Sequence, residues 1–351
     1  MHLLPHIGAL PAGQRNAITD VAGVSVGHHT LAEGGVQTGV TVVRPHGGDP
    51  YRDRVPAAAV VLNGFGKSVG LVQVEELGVL ETPIALTNTY CVAAVAAAQI
   101  RQCIAAHPES GRSLPTVNPL VFECNDGYLN DIQRMAVTGE HYLRAFEGAR
   151  RQVEEGSIGA GRGMSCFGLQ GGIGTASRRV PAQGAAEYTV GVLVLANFGR
   201  LPNLVVAGHA IGARLARQLA IASEPPQPEQ GSIIMLVASD APLDARQLRR
   251  LALRAGAGLA RTGSVFGHGS GDIALAFSTA YTVPLEPDRP MPALALLHDS
   301  RVDPLFQACA DACEQAILNA LWRATPLTGR DGHHRPALSD LLAGWSSLSQ
   351  P

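Results

Sequence analysis

The chain has 351 residues, long enough for one large domain or two ordinary ones with an ample core. Apolar residues make up 46% and charged residues 16%, which suits a layered α/β protein that buries much of its surface, some of it in an oligomer. The net charge is −2 with Lys and Arg scattered, so no basic face for nucleic acid is implied.

Near the start, Gly23-Val24-Ser25-Val26-Gly27 matches the G-x-S-x-G string of a nucleophile elbow. That elbow needs a strand before it and a helix after it, whereas His28-His29-Thr30 leads on to Gly34-Gly35 and another β-like segment; a turn between two strands is expected instead. Strands follow at 40–43 and 57–62. The second runs into Asn63-Gly64-Phe65-Gly66-Lys67-Ser68, which ends like a P-loop, but the first glycine of that motif would fall at Val61. A glycine turn is expected there, opening a helix over 67–77, in a neighbourhood suited to line a pocket. A strand at 84–87, a helix at 90–106 and a strand at 120–124 come next, the last leading into Glu123-Cys124-Asn125-Asp126-Gly127-Tyr128. Two readings of that stretch stand open: a plain Asn-Asp-Gly turn, or a carboxylate for a substrate ammonium with a Tyr hydroxyl that donates to a reacting carbonyl.

A helix is predicted at 140–155, followed by two glycine-rich runs, 159–163 and 168–174. Neither has a G-x-G-x-x-G between strand and helix, so close backbone approach is expected there rather than a dinucleotide site. The strand predicted at 188–197 ends on Asn197, whose amide either closes a turn or donates to an oxyanion. After a helix at 207–220, the polar stretch 223–231 carries three prolines and meets the apolar run Ser232-Ile233-Ile234-Met235-Leu236-Val237-Ala238, a buried strand by its β-branched content. Asp244 is placed to cap a helix over 244–261. Gly269-Ser270-Gly271-Asp272 opens a strand at 273–278; a hydroxyl and a carboxylate two apart share one side of an extended chain, and form either a relay or a Ser/Gly/Asp turn. A helix at 303–324, with Pro304 in its first turn, precedes a loop and a short terminal helix.

The joint Gly231–Ser232 is the most informative of these places. If the chain were cut there, Ser232 would carry both a hydroxyl and a free α-amine titrating at about 7.7–8.0, able to act as base for its own hydroxyl. Six cysteines show neither a C-x-x-C pair nor zinc-type spacing, and most read as reduced core residues. The histidines form no ligand set, so no metal is expected. The N-terminus shows no signal-peptide pattern and no apolar run approaches about 18 residues, so no membrane association and a cytoplasmic location are expected.

Taken in order, Asn125-Asp126-Gly127-Tyr128, Gly171-Gly172-Ile173-Gly174-Thr175, the run from Gly191 to Asn197-Phe198-Gly199, Gly231-Ser232 with Ala241-Pro242-Leu243, and Gly269-Ser270-Gly271-Asp272 resemble the DmpA/BapA family of L-aminopeptidase/D-esterases and β-peptidyl aminopeptidases. The similarity runs from Ile18-Thr19-Asp20-Val21 to Gly329-Arg330-Asp331-Gly332. It implies a single αββα four-layer sandwich over 1–351, like that of N-terminal-nucleophile hydrolases and ornithine acetyltransferases, autocleaved into an α chain of 1–231 and a β chain of 232–351. It implies Ser232 as nucleophile, Ser270 and Asp272 as its supporting pair, Asn197 in the oxyanion hole, Tyr128 in the catalytic site and Glu123 near the substrate amine. In the best-known members Glu stands where this chain has Asp272. The implied substrates are small peptides, amides or esters, with no cofactor and a tetramer of αβ units. Nylon-type amide oligomers on the same scaffold, and an uncleaved binding protein without activity, are the alternatives.

Overall fold

The computed structural model describes residues 4–182, 187–219, 230–345 and 347–348. In the first half lie β1 (Ser25–Glu33), β2 (Val36–Arg44), β3 (Asp53–Gly64), α1 (Leu71–Leu77), β4 (Val79–Leu80), β5 (Ile84–Asn88), α2 (Val92–Ala106), β6 (Leu120–Cys124) and α3 (Gly139–Glu147). Then come β7 (Ser165–Cys166), β8 (Leu169–Gln170), β9 (Gly172–Pro181), β10 (Glu187–Asn197), α4 (Gly212–Gln218), β11 (Gln230–Ser239), α5 (Ala245–Arg261), β12 (Gly269–Ser278), β13 (Val283–Pro284), α6 (Asp303–Arg323) and α7 (Leu338–Leu341).

Two sheets result. One has the order β1-β2-β5-β6, and the other β13-β3-β12-β11-β10-β9 with β4 beside β3. In the larger sheet β11 and β12 run parallel, while β10–β11 and β12–β3 are antiparallel. Side chains alternate faces along a strand, and on β11 this divides the run between two cores. Ile234, Leu236 and Ala238 pack with Ile84, Leu86, Leu120 and Phe122 of the smaller sheet, while Ile233, Met235 and Val237 pack with α5 and α6. The far face of the smaller sheet, through Val40, Val42, Ala85 and Val121, packs on α2 and α3. The order of layers is therefore helix, sheet, sheet, helix, which explains why the central strands are apolar on both faces.

All seven strands expected from sequence are present, and so are the six helices, with three boundaries moved. The first helix begins at Leu71 rather than 67, because Gly70 takes φ +96° and Val69 pairs with Val121. The third ends at Glu147 rather than 155, since Arg150 leaves it to bridge Val26. The fourth begins at Gly212, after a turn in which Val206 and His209 exchange backbone hydrogen bonds. Ser25 opens β1 directly after a turn out of a short 3-10 helix, Ile18–Asp20, so the serine elbow is absent and the turn does not follow a strand. Asp244 does cap α5, accepting from Gln247 N–H at 2.7 Å. Of the Pro-rich stretch ahead of Gly231, residues 223–229 lie outside the described residues. All six cysteines are buried and none is in a disulfide. Among the described residues no helix is long and apolar enough to cross a membrane.

Candidate active site

Four strands of the larger sheet end at one level. Asn197 closes β10 directly opposite Ser232, Ser232 stands beside Gly271 on the parallel strand β12, and Gly271 pairs with Gly64 at the end of β3. Counting in twos from Ile234 and from Leu195, both of which face the smaller sheet, puts Ser232 and Asn197 on that same inner face. There β6 ends beside them, and the Asn125 carbonyl accepts a hydrogen bond from Asn197 Nδ2 at 3.0 Å. Ser232, Asn197, Ser270, Asp272 and Glu123 are all buried.

The Ser232 hydroxyl donates to the carbonyl oxygen of Gly231 at 2.5 Å and accepts the Gly271 N–H at 3.3 Å. The hydroxyl is thus folded back over the peptide bond that joins its own residue to the preceding glycine. Gly231 itself is pressed against β10: a Cβ there would lie 2.4 Å from the Asn197 carbonyl oxygen and 2.9 Å from Phe198 Cα. Only glycine fits this approach without moving the strand.

Ser270 and Asp272 form the pair that their spacing suggests, with Ser270 Oγ donating to Asp272 Oδ1 at 2.5 Å. The shorter Asp side chain therefore reaches its serine. A bulge falls between Asp272 and Ile273, so the register of β12 against β3 shifts directly behind the carboxylate. Asn63 fastens this turn from the neighbouring strand, its Nδ2 donating to the carbonyls of Gly267 at 3.0 Å and Ser270.

The amide of Asn197 is held from both ends. Its Oδ1 accepts from Ser165 N–H at 2.8 Å, and its Nδ2 donates to Asn125 as noted. An amide nitrogen carries two hydrogens, and beyond the one given to Asn125 the second has no acceptor among the described residues. Glu123 is likewise tethered: Oε1 accepts from Lys67 N–H at 2.7 Å and Oε2 from the Thr89 hydroxyl. A carboxylate offers about four acceptor positions, which leaves capacity for an ammonium. Gly66 separates the carboxylate from the strand beside the nucleophile, since a Cβ on it would sit 3.6 Å from Glu123 Oε1 and 3.8 Å from Gly271 Cα.

Tyr128 stands at the rim, 39% exposed, with its ring stacked on His333 at 4.6 Å and under the Arg335 guanidinium at 3.7 Å. The structure brings Ser232 and Asn197 together on the inner face at adjoining strand ends, with Glu123 and Tyr128 on the β6 side, while Ser270 and Asp272 bracket Gly271, the neighbour of Ser232 on β12. Sequence reasoning missed Asn63, Thr89, Ser165 and Arg335. Asn63 carried a faint signal, as the last residue of a strand before a glycine turn, whereas the others lie in stretches with no motif. Among the described residues no group of three or more His, Cys, Asp or Glu side chains is arranged to hold a metal ion.

Comparison with known proteins finds relatives that match most of the chain. The family model described as "Peptidase family S58" matches residues 16–335. The beta-peptidyl aminopeptidase BapA of Sphingosinicella microcystinivorans is 40% identical over 341 residues, covering 92% of this chain and 85% of that protein. Among solved structures, a beta-aminopeptidase of Burkholderia sp. is 39% identical with a TM-score of 0.86, covering 98% of both chains. The L-aminopeptidase D-Ala-esterase/amidase of Ochrobactrum anthropi, described as a new variant among the Ntn hydrolase fold, is 32% identical with a TM-score of 0.88, covering 99% of this chain and 98% of that one.

Proposed function

The chain belongs to peptidase family S58, and on that premise we propose that it is an aminopeptidase that cuts itself between Gly231 and Ser232 and then works through Ser232 as an N-terminal nucleophile. The observation that carries this reading is the hydroxyl of Ser232, buried at a strand end and 2.5 Å from the Gly231 carbonyl oxygen, with Asn197 directly across the sheet. In the precursor Ser232 Oγ attacks the Gly231 carbonyl carbon. The N–O shift breaks the peptide C–N bond and leaves an ester on Oγ, with the amine freed at Ser232. Water hydrolyses the ester and releases 1–231 from 232–351.

In the mature form the Ser232 amine takes the proton of its own hydroxyl as Oγ attacks the carbonyl of a substrate's N-terminal residue. The remaining Asn197 donor stabilises the oxyanion, a kind of contact commonly worth about 10²–10³ in kcat. The amine returns the proton to the leaving group, and water then hydrolyses the ester on Ser232, releasing the N-terminal residue as a free acid and restoring the hydroxyl. Ser270 and Asp272 orient the amine, Tyr128 donates at the rim, and Glu123 receives the substrate ammonium. No step as written uses a metal or an organic cofactor. The substrate class proposed is small peptides, amides or esters with a free N-terminal amine. β-Aminoacyl substrates are included because relatives bear the name beta-peptidyl aminopeptidase. The same proposal takes 1–351 as one αββα domain in two chains. It also takes the assembly as a tetramer of αβ units, in keeping with exposed Met291, Leu294 and Leu296 in a segment without regular structure.

A denaturing gel and intact mass test the proposal. Wild-type protein should separate into 1–231 and 232–351, and Ser232→Ala should stay whole and inactive. A wild-type chain that stays whole and inert on L-, D- and β-aminoacyl amides overturns it in favour of a binding protein. Cleavage with turnover only of amide oligomers would move the substrate to the nylon type.

A further inference from the structure

The segment after α6 contains Gly329-Arg330-Asp331-Gly332-His333-His334-Arg335, which none of the chemistry above uses. In the fold it lies along the loop that follows β6 and takes hold of three consecutive carbonyls of that loop. Arg330 Nε donates to the Gly127 carbonyl at 2.7 Å, His333 Nδ1 to that of Tyr128 at 2.7 Å, and Arg330 N–H to that of Leu129 at 2.8 Å. The His333 ring stacks on Tyr128 with 13° between planes, and the Arg335 guanidinium covers Tyr128 at 3.7 Å. Arg335 Nε also donates to Ser165 Oγ at 3.1 Å.

Those contacts converge on one side chain. Ser165 supplies the N–H that holds Asn197 Oδ1, and Asn125, at the head of the strapped loop, supplies the carbonyl that holds Asn197 Nδ2. The two anchors of the Asn197 amide therefore belong to segments 40 residues apart in sequence, 125–128 and 165–166, and Arg335 ties one to the other. A planar guanidinium suits this bridge because it stacks on an aromatic face while donating in its own plane; an ammonium cannot do both in the same geometry.

We propose that Arg335 is a positioning residue for the oxyanion hole, setting the Asn197 amide through Ser165 on one side and the Tyr128 loop on the other, without touching substrate. This rests on the role given to Asn197 above. A donor misplaced by about an ångström loses its preference for the transition state while leaving ground-state binding alone.

The test is a double-mutant cycle with Arg335→Lys and Asn197→Ala, reading the rate of self-cleavage and kcat and KM on an aminoacyl amide. Arg335→Lys is expected to lower kcat by roughly 10- to 100-fold with KM within about twofold, a share of the loss from removing a donor outright. In the Asn197→Ala background the same change should cost little more, because both act through one group. Ser165→Ala, which removes the hydroxyl but keeps the backbone N–H, should lower kcat in the same sense and covers the case in which Arg335→Lys does not fold. Unchanged kcat in both single variants, or full additivity with Asn197→Ala, overturns the proposal. If Asn197→Ala itself leaves kcat and self-cleavage intact, it is the oxyanion role that fails, whatever Arg335→Lys does.

Discussion

Gly231 shows how tightly single residues constrain the site. Its space is filled by the backbone of Asn197 and Phe198, so the residue before Ser232 must lack a Cβ whatever its dihedral angles. In the Ser232→Ala background, where the chain stays whole, Gly231→Ala is expected to cost about 1–3 kcal/mol in a urea melt, the usual range for overpacking. With Ser232 present it should slow self-cleavage at least about tenfold on a timed denaturing gel; wild-type stability and wild-type cleavage together would show that β10 yields easily. Asp126, in the loop beside Asn197, makes a different kind of demand. Its carboxyl is fully buried with Oδ1 accepting from Asn130 Nδ2 at 2.9 Å, and burial pushes its pKa from 3.8 up to about 7 against the hydrogen bonds it accepts. Below pH 4 the carboxyl is protonated in both folded and unfolded chains and contributes no slope. Between 4 and 7 the unfolded chain has lost the proton and the folded one still holds it, so stability falls as pH rises, by about 1.4 kcal/mol per unit. Above 7 the loss is complete. Asp126→Asn should remove this slope, so that on Ser232→Ala protein the gap between the two melting curves changes from pH 4 to pH 7 and is flat above. Parallel curves throughout would mean that Asp126 is ionised in the fold.

Among elements, β9 and α6 are joined more closely than side chains ordinarily allow. A Cβ at Gly174 would lie 1.9 Å from the Ala316 carbonyl oxygen and 2.6 Å from Ala320 N, so the helix lies on bare strand backbone. Gly174→Val must push α6 off the sheet and is expected to lower stability by about 2–4 kcal/mol, seen as a fall of several degrees in Tm; an unshifted Tm would show that the helix slides freely. This strand was illegible in the sequence for the same reason: Gly174 and Ala176, which face the helix, carry no β-branched signal. The strands rich in Val, Ile and Leu were legible, because burial on both faces writes a continuous apolar run. The Ser270–Asp272 pair was legible too, since residues two apart share a side of any strand. Asn197 opposite Ser232 was not derivable from periodicity, because the register of β10 against β11 is set by the intervening loop. The strap at 329–335 left still less trace. Its partners lie some 205 residues earlier, and hydrogen bonds to backbone carbonyls ask for no particular residue type on the other side.

At the scale of the whole molecule, the proposed cut falls where it changes connectivity but not the sheet. In the order β3-β12-β11-β10 the two inner strands, β11 from Ser232 onward, belong to 232–351 and the two flanking strands to 1–231. After hydrolysis every ladder bond of β11 to β10 and of β12 to β3 becomes a bond between chains. The apolar clusters on both faces are also shared: Leu193 and Leu236 meet between the sheets, and Val192 and Val237 meet under α5 and α6. An interface of this kind is a domain core divided in two, the class that buries on the order of 2,000–5,000 Å² and does not dissociate at working concentrations. Arg330, His333 and Arg335 add the contacts of the strap at the mouth of the site, again from the second chain to the first. The two pieces are therefore expected to co-elute in native size-exclusion chromatography at nanomolar concentration and to part only in denaturant. Dilution should leave the specific activity unchanged, because the shared sheet holds Ser232 of one piece opposite Asn197 of the other. Cleaved protein that separates on dilution and loses activity as it does so would show that the covalent link, rather than the shared sheet, holds the site together.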